Sequence, residues 1–156
     1  MKKLIISILL CSACLNSYAL TKAEKEQVDK AISSIVKSVD ENANKKSYLK
    51  QMSAHKITVE QDTKDSTNQY GTVKISIFFR KESASNIEKA KVMVESILDK
   101  YKQDTKQDPV FSVSVSLYSD TRIDNVKHYF ARVKYLPMID PLIRIDQKDY
   151  LVDISK

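Results

Sequence analysis

Two histidines, His55 and His128, are the chain's only imidazoles, and they fall in different predicted hairpins. A zinc site takes three or four ligands from His, Cys and carboxylate. Neither histidine stands at ligand spacing from a cysteine, so no metal site is expected. Serines 112, 114 and 116 offer hydroxyls, but they recur at every second residue. The outer face of a strand accounts for that spacing without a nucleophile. Asp140, Asp146, Asp149 and Asp153 gather near the C-terminus at turn-like positions, and no pair of carboxylates stands out as a general acid and base. Gly71 is the only glycine. Phosphate loops, dinucleotide fingerprints and nucleophile elbows each need several glycines at fixed spacing, so all are excluded. The residues make no positive case for an enzyme, and no cofactor is expected.

A different chemistry is suggested by Phe78, Arg80, Tyr118, His128, Phe130 and Arg132. Each lies on the polar side of a predicted strand. If the strands are neighbours, these side chains share one sheet face, and aromatics with arginine dominate the energetics of recognition surfaces. Such a face also resembles a stacking platform for single-stranded RNA, although export argues against that ligand. The competing account is ordinary packing, with a helix over residues 22–42 or a partner subunit covering the face. A register error of one residue would also exchange the two faces.

The elements that position this face centre on a strand–helix–strand unit. Val73, Ile75, Ile77 and Phe79 alternate with polar neighbours over 72–80, and Phe111, Val113, Val115 and Leu117 do so over 111–118. Between them the period changes to 3.6: Ile87, Ala90, Val94, Ile97, Leu98 and Tyr101 form one stripe of a helix over 85–102. Ser85 with Glu88 reads as a capping box at its start. Upstream, Thr21 and Glu24 form another capping pair before the helix over 22–42. Residues 56–61 read as a strand joined to 72–80 through the polar turn 62–71. Residues 126–136 read as the partner of 111–118, ended by Pro137 and Pro141. Residues 142–145 and 150–154 suggest a short edge hairpin. Tyr48, Leu49 and Met52 fit either a short helix or a packed connector. The order α-β-β-α-β-β predicts an α+β two-layer sandwich, a mostly antiparallel sheet with helices on one face. Strands 72–80 and 111–118 flank one helix and can instead lie parallel through a crossover.

The first nineteen residues read as a signal peptide, leaving one domain over 20–156. Lys2 and Lys3 precede the apolar run 4–15, and Ser17-Tyr18-Ala19 fits a cleavage site between Ala19 and Leu20. The apolar run is shorter than the roughly 20 residues a spanning helix needs. Cys11 and Cys14 both lie in this segment, so cleavage leaves no thiol. The alternative is lipoprotein processing at Cys14, where Cys11 occupies the position usually held by leucine. Loss of Lys2 and Lys3 takes the basic residues from 26 to 24 against 20 acidic ones, and the net charge from +6 to +4. The charges are mixed rather than clustered, unlike a nucleic-acid footprint.

The expectation is an exported bacterial binding or accessory domain, periplasmic or secreted, engaging another protein or an envelope component through a sheet face or edge. Membrane attachment is expected only if Cys14 is lipidated. Two alternatives stand beside it: a small hydrolase with an unrecognised carboxylate or serine site, and a secreted inhibitor or effector presenting the loop 62–71.

Overall fold

Helix α3 (Ala84–Thr105) carries the chain between two parallel strands, and the rest of the molecule is laid out around that crossing. The computed structural model describes residues 21–62, 71–120, 127–137 and 146–154. Residues 1–20, including Cys14, Ala19 and Leu20, most of the 62–71 loop, and Pro141 with residues 142–145 lie outside the described residues. The elements are α1 (Lys22–Ala43), α2 (Lys46–Met52), β1 (Ala54–Asp62), β2 (Thr72–Phe79), α3, β3 (Ser112–Asp120), β4 (Lys127–Tyr135) and β5 (Asp149–Leu151). They form the expected α+β class, with one five-stranded sheet in the order β1-β2-β3-β4-β5. The sheet is mixed: the hairpins β1–β2 and β3–β4 are antiparallel, while β2–β3 and β4–β5 are parallel. The C-terminal strand β5 joins β4 in parallel, and the 142–145 half of the expected edge hairpin lies outside the described residues.

Local chemistry sets the helix ends. Thr21 accepts from the Glu24 backbone N–H while the Glu24 carboxylate accepts from the Thr21 N–H, so the capping box forms as read. Those bonds hold the Glu24 carboxyl below its usual range. For α3 the cap is Ser83, whose hydroxyl accepts from the Ser85 N–H, two residues before the cap expected at Ser85. The short helix α2 resolves the ambiguity at Tyr48–Met52. Both α2 and α3 end on a left-handed residue that is not glycine, Ser53 (φ 57°) and Lys106 (φ 58°). The single glycine, Gly71 (φ 84°), precedes β2, and its carbonyl accepts from the Ser112 N–H at the start of β3.

All three helices lie on one side of the sheet. α3 packs over β3 and β4, α1 over β1 and against α3, and α2 beside β1. Ile57, Ile77, Leu117 and Ala131 are paired across four strands and form one row on the helix side. Val28, Ile32 and Ile35 of α1 and Val94, Ile97 and Leu98 of α3 close the core over it. Among the described residues, no helix is long and apolar enough to cross a membrane.

Two core tyrosines differ in one atom's environment. The Tyr135 phenol donates to the Pro109 carbonyl at 3.1 Å. The Tyr101 hydroxyl is buried without a hydrogen-bond partner. Removing a satisfied hydroxyl costs about 1 kcal/mol, whereas removing an orphan relieves a desolvation penalty. Chemical denaturation of Tyr135→Phe should therefore show a loss of about 1 kcal/mol, and Tyr101→Phe no loss or a gain. Burial raises the pKa of Tyr135, with the Asp108 carboxylate adding to it, and burial also raises the pKa values of Tyr101 and Tyr48. Because the folded values are raised, this stability is complete below the ordinary tyrosine value of about 10 and is lost as pH climbs through the raised values. A denaturation series should show a flat midpoint up to about pH 10 and a fall above it that Tyr135→Phe makes shallower.

Candidate functional site

The face turned away from the helices carries the candidate site. Residues in register across a sheet point to the same side, so Thr58, Ser76, Ser116 and Arg132 form one polar row. One step along, Lys56, Phe78, Tyr118 and Tyr129 form a second row across β1 to β4. This row lies at the C-terminal ends of the two central parallel strands. Phe78 and Tyr118 stack with centroids 5.1 Å apart and planes 18° apart, and Tyr129 meets Tyr118 edge-on at 5.9 Å. A separation close to the strand spacing means that the stacked rings stand side by side on the sheet.

Cations cover the outer ring faces. Lys127 Nζ stands 4.1 Å from the Phe78 centroid and Lys56 Nζ 5.8 Å from it, while Arg132 and Lys148 lie over Tyr129 at 5.5 and 5.6 Å. Two carboxylates share the neighbourhood. Asp120 lies 3.7 Å from His55 Nδ1, beyond hydrogen-bond reach. Asp149, its side chain only 3% exposed, accepts from Lys134 at 2.7 Å and lies 3.7 Å from Arg132 Nε. Among the described residues no carboxylate pairs with Lys56, Lys127 or Lys148, so the row is net positive. Arg132 Nε and Asp149 Oδ1, both buried, lie 3.7 Å apart as an ion pair too long for a hydrogen bond, and the buried Tyr129 Oη makes no hydrogen bond.

The expected set is divided by one extra residue in β4. Leu117 pairs with Ala131 and Tyr118 with Tyr129, leaving Phe130 as the inserted residue of a bulge. Past the bulge the alternation reverses. Phe130 is therefore not on the open face: it packs against the core, with its ring 6.2 Å from Phe79. His128 pairs with Ser119 and so belongs to the helix side, not to the row of Tyr118. Arg80 lies beyond the last paired residue of β2, exposed and outside the row. Phe78, Tyr118 and Arg132 stand on the open face as expected, and Tyr129, Lys127, Lys148 and His55 join them. The adjacent aromatics Tyr129-Phe130, which break strict alternation, are the one sequence signal of the bulge.

Helix α1 lies in the same layer as α3, so it does not cover this face. No group of three or more His, Cys, Asp or Glu side chains among the described residues could hold a metal. Fold and site together define an α+β sandwich with one open, aromatic and cationic sheet face. The chain matches no family model, and no curated protein or solved structure is significantly similar to it.

Asp149 ties β5 to this face. Replacing Asp149 by alanine removes the acceptor shared by Lys134 and Arg132. A buried pair broken from one side costs several kcal/mol, but Arg132 keeps 37% of its side chain exposed, so about 2 kcal/mol is expected. Adding Lys134→Met should restore part of that loss, as read by denaturant midpoint.

Proposed function

We propose that this chain is an exported binding or accessory domain that engages another protein or an envelope component through the open face of its sheet. The observation that carries the proposal is the row Phe78–Tyr118–Tyr129, crowned by unpaired lysines and bordered by the Arg132–Asp149 ion pair. The aromatic rings supply apolar area with little rotamer entropy to lose, and the lysines favour a partner surface with negative charge. The mixed surface charge read from the sequence makes steering local to this face rather than global.

The test uses the tagged chain, purified as processed by an exporting host, and the partner it retains from envelope extract. Lys127→Glu with Lys148→Glu should weaken retention by about tenfold, because two attractive contacts become repulsive. Both side chains are surface cations, so the melting midpoint should stay within the small range of surface substitutions. Phe130→Ser, by contrast, should lower the midpoint, since Phe130 packs on the core side. Retention unaffected by the double charge reversal would overturn the proposal.

A further inference from the structure

Among the described residues, strand β1 forms one border of the sheet, paired with β2 on one side only. Its edge over His55–Val59 opens on a cleft of about 420 Å³, walled by Asp40 and Ala43 of α1, by its cap residue Asn44, and by Leu49 of α2. Folded proteins usually blunt such edges with short strands, proline, bulges, charged side chains or a covering helix. The opposite border follows that practice, since β5 has three residues. β1 runs for nine residues without proline, and its single irregularity at Ala54/Lys56 leaves Ile57–Asp62 regular.

The sequence of this edge is complementary to itself about Thr58. Lys56 and Glu60 stand two residues to either side, both exposed on the open face and neither in an ion pair among the described residues. Ile57 and Val59 stand one residue to either side, turned to the helix side, where Ile57 is buried and Val59 packs on the core. We propose that β1 pairs antiparallel with β1 of a second copy, about a two-fold axis through Thr58, joining two sheets into one. In that register Lys56 faces Glu60 of the second copy twice, Ile57 faces Val59 twice, and Thr58 faces its own equivalent. These are the opposite-charge and apolar pairs that stabilise neighbouring strands. The isologous geometry closes at two subunits. A two-fold axis through Ile57 would pair Lys56 with Thr58 and lose both ion pairs. An axis through Val59 would pair Lys56 with Asp62, which already bonds Lys74. The axis through Thr58 is thus the register that satisfies Lys56 and Glu60 together.

The experiment is sedimentation of the full chain, purified as processed by an exporting host, with its charge variants. Lys56→Glu alone and Glu60→Lys alone should each weaken dimerisation by about tenfold, because each sets like charges opposite one another at two places. The combined Lys56→Glu, Glu60→Lys variant should restore it, since every pair is again opposite in sign. In a chain with Cys11 and Cys14 replaced by serine, Thr58→Cys should form an interchain disulfide, because directly opposed residues lie within its Cα range. A chain that stays monomeric and uncrosslinked at high concentration overturns the inference. So does a dimer indifferent to the charge swaps, or an edge that binds an extended peptide while the chain remains monomeric.

Discussion

Two parallel strands at the centre of the sheet impose the constraint on which the other elements depend. Parallel neighbours cannot be joined by a tight turn, so the chain between β2 and β3 must cross one face of the sheet, and here α3 makes the crossing. Once a 22-residue helix lies over that face, the apolar sides of β2 and β3 must point toward it. The antiparallel partners β1 and β4 inherit the same orientation through their registers. α1 then completes the layer by packing beside α3 and over β1. The open face is a consequence of this arrangement: with all helical cover spent on one side, the other side is free to carry residues that the core does not need.

Where local pattern and tertiary structure agree, the residues disclosed the architecture. Val73, Ile75 and Ile77 show period two because one side of β2 meets a helix and the other does not. Ala90, Val94, Ile97, Leu98 and Tyr101 show period 3.6 because they meet the sheet, and all five are buried as that stripe implies. Element type and order follow directly from such periods. Phe78 and Tyr118 were legible as a pair for the same reason. What could not be read is β4, where an inserted residue changes the phase partway along the strand. Alternation on both sides of Phe130 looks regular, yet the two halves address opposite layers. A bulge is chosen by pairing with β3, which lies outside any local window, so Tyr129 and Phe130 exchanged places. His55 was hidden differently. It reaches the row from the far hairpin and meets Asp120 only after folding.

The polar balance of the open face follows from its small residues. Thr58, Ser76, Ser114 and Ser116 hold the middle of the sheet with short side chains, so the large rings at one end and the Lys134–Asp149 bond at the other border stand above a low floor. Asp149 offsets two cations with one carboxylate, its Oδ2 accepting from Lys134 and its Oδ1 lying 3.7 Å from Arg132 Nε.

The scarcity of glycine has a consequence for the state the chain leaves when it folds. Helices α2 and α3 end on Ser53 and Lys106 in left-handed geometry, where most chains place glycine. Each position costs some strain in the folded form. In the unfolded ensemble, however, a chain with a single glycine visits fewer backbone conformations than a glycine-punctuated one and surrenders less freedom on ordering. Part of this protein's persistence therefore resides in the stiffness of its denatured chain, a contribution that no inspection of the folded interior would reveal.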